Sequence, residues 1–308
     1  MTFVGNKQAV AYFQTIADRI IQTNVIDHGF LLLCGPQYIG KTTLIQSVLP
    51  QLVGGVMLQD CLQIQDFSDQ WLELKESNDK LIGTSHSIKI SSDDAKSVIK
   101  LSDGSIYQDY GVREMLAWMA TSPAGKRKVL IIENIERMGI GASNALLKTL
   151  EEPLTDRLII CTCSNPNQLL PTIVSRGLLI QLYPVPEQEL QQGMEILGYA
   201  WNPDLPAALR WSMGRPGLAK RLLDDPKYHA LLDVVKMMDS NYLSSEFLIT
   251  KHAAFMKLHE MGTLMLALDM LQIVFADDMH WSSKFLQTKK YLDSNVGVAN
   301  IIMDMLID

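Results

Sequence analysis

The sequence lacks the features on which several classes of protein depend. Its 308 residues include only four cysteines, Cys34, Cys61, Cys161 and Cys163, too few and too scattered for a disulfide framework. No apolar run approaches the ~18 residues that cross a bilayer, and the first residues lack the basic stretch and apolar core of a secretory signal. We therefore expect a cytoplasmic protein with reduced thiols and no membrane contact.

Clustered positive charge is also scarce. The net charge is −7 and the pI is about 5.4, whereas a free-standing nucleic-acid binder needs many clustered Lys and Arg residues. The only dense basic run, Lys126-Arg127-Lys128, lies between a probable helix and a strand-like segment, and we expect a solvated loop there. Contact with DNA through a larger assembly stays open.

A phosphate-binding loop is the clearest motif. The apolar run Phe30–Cys34 predicts a buried strand, and it leads through GPQYIGKTT into a helix-like segment. In this G-x-x-x-x-G-K-T pattern, glycines let backbone N–H groups face phosphates, Lys41 reaches the terminal phosphates, and the Thr42 hydroxyl binds Mg²⁺. The predicted nucleotide-binding residues here are Gly35, Gly40, Lys41, Thr42 and Thr43.

A second strand supplies the acidic part of such a site. Val129–Ile132 reads as a buried strand that ends at Glu133 and Asn134, where nucleotide hydrolases commonly place Asp and Glu. Glu133 is predicted to hold Mg²⁺, as a degenerate version of the usual Asp. Asn134 cannot accept a proton at neutral pH, so we expect weak or no hydrolysis. Glu136 is an alternative base, but two residues beyond the strand it is expected to point elsewhere.

A third apolar run, Leu158–Cys163, ends at Ser164-Asn165-Pro166. Strand alternation explains Cys161 and Cys163 better than metal binding does. A polar residue at this strand end, Ser164 or Asn165, could contact the terminal phosphate. Turn chemistry before a proline would place the same residues there, and both interpretations stand.

Several stretches together resemble a known family. The residues 144–153, NALLKTLEEP, followed by Ser164-Asn165-Pro166 and by 169–176, LLPTIVSR, resemble the signature of bacterial sliding-clamp loaders, which are AAA+ proteins. The resemblance runs from about Val4 to Leu223. It implies an α/β fold, namely an AAA+ P-loop domain with a parallel sheet, then a small helical lid and an all-α collar. The implied boundaries are 1–184, 185–225 and 226–308.

Within that family the chain is similar to the delta-prime subunits rather than to the tau/gamma motor subunits. Motor subunits carry an arginine where Gly217 stands, and Arg215, two positions away, is expected to be an exposed lid residue. The resemblance also implies that Arg176 is an arginine finger, a catalytic cation inserted into a neighbouring subunit's nucleotide site. Without the resemblance, Arg176 would be read as a surface ion pair.

The resemblance further implies ATP or ADP with Mg²⁺ as cofactors, and a tau/gamma-like ATPase, a delta-like subunit, a sliding clamp and primer–template DNA as partners. No zinc is expected, because between residues 44 and 128 only Cys61 could contribute to a four-cysteine site. The alternative function is a catalytically active, tau/gamma-like ATPase. A small-molecule kinase with a phosphate loop would leave the 144–176 signature unexplained.

Overall fold

A computed structural model describes most of the chain and divides it into two units, Met1–Val185 and Pro186–Asp308. The described residues are 3–53, 60–68, 71–75, 87–90, 97–100, 107–109, 112–138, 140–151, 154–239, 245–275, 277–292 and 298–306. Within these ranges, no helix has the length and apolar character needed to cross a membrane.

The first unit is built on a six-stranded sheet in the order β3-β2-β7-β8-β1-β9. All pairings are parallel except that of β3, which runs antiparallel to β2 at one edge. The strands are β1 (Phe30–Cys34), β2 (Cys61–Ser68), β3 (Trp71–Lys75), β7 (Lys128–Ile132), β8 (Arg157–Cys163) and β9 (Leu178–Gln181). These bounds confirm the predicted strands Phe30–Cys34, Val129–Ile132 and Leu158–Cys163. The last two begin one residue earlier than predicted.

The central strands are apolar throughout because both of their faces are covered. Every residue of β1, β7 and β8 is buried, as expected for parallel strands between two helical layers. Along β1, Leu31 and Leu33 join the core on one face, whereas Phe30, Leu32 and Cys34 join the core on the other. The carboxyl ends of these parallel strands meet at one edge of the sheet, where ligands of open α/β sheets usually bind.

Helices flank this sheet. They are α1 (Lys7–Thr23), α2 (Lys41–Val53), α3 (Val112–Ala120), α4 (Ile140–Glu151) and α5 (Pro171–Val174). Single turns of 3₁₀ helix follow two of the strands, at Ile135–Arg137 and Pro166–Gln168. A separate antiparallel sheet has the order β4-β5-β6, with strands Ser87–Ile90, Ser97–Lys100 and Tyr107–Asp109. The α/β class with a parallel sheet is thus confirmed.

The basic run before β7 is not a solvated loop. Arg127 is 1% exposed and Lys128 is 3% exposed, so that prediction was wrong for both residues. The Arg127 guanidinium donates to the backbone oxygens of Leu52 and Ile20, and to the side-chain oxygen of Asn24, which caps the end of α1. These acceptors lie at the ends of α1 and α2, where carbonyl groups have no partner within the helix and a cation is favourable.

Replacing Arg127 with alanine is expected to lower the free energy of unfolding by about 3 kcal/mol, because buried carbonyls at two helix ends lose their donors. Urea unfolding followed by circular dichroism would measure the change. Lys126→Ala is the matched control, since Lys126 is exposed and its loss should cost at most about 0.5 kcal/mol. An equal, small effect for both variants would contradict this role of Arg127.

The regular elements of the second unit are all helices within its described residues. Its helices are α6 (Glu187–Met194), α7 (Leu205–Ser212), α8 (Pro216–Asp224), α9 (Pro226–Asp239), α10 (Ser245–Glu260), α11 (Leu264–Val274), α12 (Met279–Leu292) and α13 (Val298–Leu306). A helical region after the α/β domain is thereby confirmed. Its division into a lid, 185–225, and a collar, 226–308, stays a prediction.

The predicted lid region, 185–225, contains the helices α6, α7 and α8. Helix α6 ends at Met194, and a π-helical turn follows at Glu195–Tyr199. Gly198 in that turn has a φ of 97°, which a helix cannot accommodate. Arg215 is half-buried rather than exposed, and its Nε donates to the Ser212 carbonyl at 3.0 Å.

Candidate nucleotide site

The predicted phosphate loop connects β1 to α2 at the carboxyl edge of the sheet. Its first residue, Gly35, donates its backbone N–H to the Cys163 carbonyl at 3.1 Å. A Cβ atom on Gly35 would lie 2.6 Å from the Leu182 carbonyl oxygen, so only glycine fits. Gly40, with a φ of 108°, ends the loop, and a Cβ there would lie 3.0 Å from the ring of Phe3. Both glycines are therefore required by the loop's backbone path.

Lys41 lies inside the curve of this loop. It is 7% exposed, and its ammonium group donates to the Gly35 carbonyl and, at 3.0 Å, to the Pro36 carbonyl. Burial lowers the pKa of Lys41, while nearby negative charges raise it, Glu136 more than Glu133. A buried cation held by loop carbonyls suits a site for phosphate oxygens, which would provide stronger acceptors.

The two predicted metal ligands meet directly. The Thr42 hydroxyl in the first turn of α2 donates to Glu133 Oε2 at 2.9 Å, although 91 residues separate them in the sequence. A hydroxyl beside a carboxylate is an oxygen donor set that fits Mg²⁺, which usually takes one or two carboxylates and completes its shell with water and phosphate. Thr43 follows in the same turn and is half-buried. The predicted residues of both nucleotide motifs thus lie at one site.

Asn134 has a backbone geometry that its residue type helps to explain. Its φ of 53° is left-handed, a conformation that Asn adopts more readily than most residues with a side chain. Its N–H donates to the Thr162 hydroxyl at 3.0 Å, and the 3₁₀ turn Ile135–Arg137 begins immediately after it. This turn follows the end of β7 and lies against β8.

Because of this turn, Glu136 does not point away from the strand ends, as the sequence had suggested. Its Oε1 accepts a hydrogen bond from the backbone N–H of Ser164 at 2.8 Å. Ser164 follows directly after β8, the strand between β7 and β1. Glu136 therefore lies at these strand ends, although its spacing from β7 predicted that it would point elsewhere. The sequence pattern did not predict the 3₁₀ turn that begins at the left-handed Asn134.

The two candidates for phosphate sensing differ in their surroundings. Asn165 is exposed, and its side chain accepts a hydrogen bond from the Asn167 N–H at 3.0 Å, so it begins the Pro166–Gln168 turn. The Ser164 hydroxyl oxygen is buried and has no hydrogen-bond partner within the described part of the chain. Turn chemistry therefore accounts for Asn165. Its role in contacting phosphate stays a prediction.

The four cysteines lie on strands of the sheet, and Cys34 and Cys163 end the two strands beside this site. All four are buried and reduced, and Cys34 pairs in register with Cys163 on the neighbouring strand. A hydrogen bond with Cys34, together with burial, raises the pKa of the Cys163 thiol, and burial raises that of Cys161. Cys161 and Cys163 both join the core on the side of Cys34, as strand alternation predicts.

Arg176 lies on the surface of the first unit, two residues beyond α5. Its guanidinium forms an ion pair with Glu151, the last residue of α4, and donates to the Thr172 carbonyl. The side chains of Arg176 and Glu151 are 28% and 47% exposed. Glu151 belongs to the 144–153 signature, whose last residues, Glu152 and Pro153, lie outside the described residues. The signature thus supplies the ion-pair partner of Arg176.

Comparison with known proteins places these motifs in a family. The family described as DNA polymerase III, delta subunit, matches residues 6–186. The DNA polymerase III subunit delta' of Pseudomonas aeruginosa PAO1 is 39% identical over 117 residues, which is 36% of this chain and 34% of that protein. The corresponding subunit of Escherichia coli K12 is 36% identical over 106 residues, 34% of this chain and 32% of that protein. The chain thus aligns with about a third of the length of these relatives.

More distant likenesses extend further along the chain. Replication factor C subunit 5 of Oryza sativa subsp. japonica is 26% identical over 192 residues, 58% of this chain and 50% of that protein. The crystal structure of a gamma subunit-related DNA polymerase III protein from Thermotoga maritima superposes with a TM-score of 0.51 at 19% identity, covering 95% of this chain and 96% of the other. At that identity the superposition establishes the fold alone.

Proposed function

The chain belongs to the family of DNA polymerase III delta subunits, and on that basis we propose that it is a delta-prime-like subunit of a sliding-clamp loader in DNA replication. The family match over residues 6–186 is the observation that carries this proposal. Similarity to delta' subunits of two bacteria supports the choice of subunit. The proposed partners are a tau/gamma-like ATPase, a delta-like subunit, a sliding clamp and, through the assembly, primer–template DNA.

Nucleotide binding is part of the proposed function. ATP or ADP with Mg²⁺ would be held by the loop from Gly35 to Gly40, with Lys41 toward the phosphates and with Thr42 and Glu133 toward the metal. The contact between the Thr42 hydroxyl and the Glu133 carboxylate supports a metal site there. Bound Mg²⁺ would neutralise phosphate charge. The chain's own residues would supply the loop N–H groups, the buried ammonium and the metal ligands.

The proposed contribution to catalysis is made in a neighbouring subunit. Arg176 would enter the neighbour's nucleotide site and stabilise negative charge on the transferring phosphoryl group. Its bond to the Thr172 carbonyl and its ion pair with Glu151 support this role, because they orient the guanidinium while leaving it accessible. Hydrolysis at the chain's own site would be slow, since Asn134 cannot act as a base.

Purification of the tagged chain from its own cells, followed by mass spectrometry of the co-eluting proteins, tests the assignment. A motor ATPase, a delta-like subunit and polymerase components are expected. Elution alone, or only with further copies of itself, would contradict the clamp-loader assignment.

A second candidate function is an active motor ATPase. The complete phosphate loop and the adjacent Thr42–Glu133 pair favour it, because hydrolysis requires the same phosphate-binding and metal-binding groups. Under this alternative, the purified chain would assemble with itself and hydrolyse ATP at tens of turnovers per second or less, in the ordinary range of enzymes.

A further inference from the structure

A single peptide group joins Glu136 to the phosphate loop. It is the peptide between Cys163 and Ser164, at the end of β8. Its N–H donates to Glu136 Oε1 at 2.8 Å, and its carbonyl oxygen accepts the N–H of Gly35, the first residue of the loop, at 3.1 Å. Because a peptide group is planar, a change of orientation at one end also changes the other. Glu136 is therefore connected to Gly35 through two hydrogen bonds.

The same path continues from Gly35 to the cation of the loop. The Gly35 carbonyl accepts a hydrogen bond from the Lys41 ammonium group. Gly35 also lies against the backbone of Leu182, so closely that a Cβ atom would be 2.6 Å from that carbonyl oxygen. A rotation of the 163–164 peptide would thus either break its bond to Gly35 or displace the start of the loop. The Lys41 ammonium group would lose its position in either case.

The carboxylate of Glu136 does more than a purely structural cap requires. Its Oε2 is buried and has no hydrogen-bond partner in the part of the chain that the structure describes, which is destabilising. A neutral amide would accept the Ser164 N–H without burying a charge. The charge makes the bond to that N–H stronger. Of the negative charges near the Lys41 ammonium, that of Glu136 also raises the pKa of Lys41 most.

We propose that Glu136 is a positioning residue of the nucleotide site, which orients the start of the phosphate loop through the Cys163–Ser164 peptide and so sets the affinity for nucleotide without contacting it. This inference rests on the proposed nucleotide binding and adds a residue to that site. The burial of Glu136 Oε2 suits the role, because a side chain that acts through a backbone group needs no access to the ligand.

Two substitutions of Glu136 in the full-length chain test the proposal. Glu136→Ala removes the acceptor of the Ser164 N–H, and we expect it to raise the Kd for Mg·ADP at least about 10-fold, as loss of a supporting partner does at metal sites. Glu136→Gln keeps an oxygen in the same place with a weaker bond, and it should raise that Kd no more than about threefold. Rescue of affinity by glutamine is the outcome that a positioning hydrogen bond predicts.

Asp60→Ala is the matched control for general destabilisation. The Asp60 carboxylate is also buried and accepts backbone N–H groups, from Ala124 at 2.8 Å and from Gly125. Asp60 directly precedes β2, and its donors lie shortly before β7, so this contact is at the amino end of the two parallel strands, away from the phosphate loop. We expect Asp60→Ala to lower the melting temperature as Glu136→Ala does, but to change the Kd for Mg·ADP less than about twofold.

Hydrogen exchange of the Gly35 amide, followed by NMR, tests the connection without any ligand. This N–H should exchange at least about 10-fold faster in Glu136→Ala than in the unmodified chain, and at an unchanged rate in Asp60→Ala. Glu136→Asp, one methylene shorter, serves if Glu136→Ala does not fold. It should also speed exchange of Gly35 and raise the Kd for Mg·ADP, each by at least about threefold.

The outcomes separate this inference from the proposed nucleotide site. If the unmodified chain binds Mg·ADP and Lys41→Ala abolishes that binding, the nucleotide site stands. An unchanged Kd with Glu136→Ala would then overturn the positioning role, as would equal losses of affinity with Glu136→Gln or with Asp60→Ala. If the unmodified chain does not bind Mg·ADP, the nucleotide site is overturned and the role in affinity with it. Faster Gly35 exchange in Glu136→Ala would still establish that Glu136 holds the loop.

Discussion

Replacing Arg176 with alanine is expected to lower ATP turnover by the assembled clamp loader about 10³-fold at the neighbouring site, without changing assembly. An arginine supplied in trans stabilises the charge of the transferring phosphoryl group, and in related systems it accounts for about 10³–10⁵ in rate. Arg176 contacts Glu151 and the Thr172 carbonyl, and 28% of its side chain is exposed. Turnover of the reconstituted complex, with the chain as the only varied component, is the measurement.

The controls distinguish a finger from a surface charge. Arg19→Ala removes another surface arginine of the first unit, which pairs with Asp27 at 3.0 Å, and it should leave turnover unchanged. Arg176→Lys keeps the charge but loses the planar fork, so it should recover only part of the rate. Glu151→Gln should reduce turnover about 10-fold, because the guanidinium loses the partner that orients it. Normal turnover with Arg176→Ala would rule out the finger.

Much of the fold was predictable because its signals are local. The strands β1, β7 and β8 are apolar over every residue, which is the pattern of a parallel strand covered on both faces. The phosphate loop was predictable for a different reason: its glycines, Lys41 and Thr42 follow one another directly in the chain. Their partner Glu133 could be placed because it ends a neighbouring apolar strand.

The features that were missed depend on backbone turns and on packing between distant segments. Arg127 looked solvated because its acceptors, at Ile20 and Leu52, are more than seventy residues away, as their separations of 107 and 75 positions show. Glu136 was expected to point away from the site because the chain was assumed to continue straight beyond β7. The left-handed Asn134 instead begins a 3₁₀ turn there, and no apolar pattern encodes its φ angle.

Asn134→Glu places at residue 134 the acid that nucleotide hydrolases commonly carry there. This substitution is expected to raise ATP turnover by the chain about 10²-fold. Loss of a general base typically costs about 10²–10⁴ in rate, and the rest of the site, from Lys41 to the Thr42–Glu133 pair, is in place. The gain should fall at the lower end of that range, because the left-handed backbone conformation of residue 134 costs Glu roughly 1 kcal/mol more than it costs Asn. Phosphate release under saturating Mg·ATP would measure it.

Asn134→Gln is the matched control, since glutamine has the length and backbone cost of glutamate but cannot accept a proton. If Asn134→Glu turns over no faster than Asn134→Gln, the missing base does not limit hydrolysis.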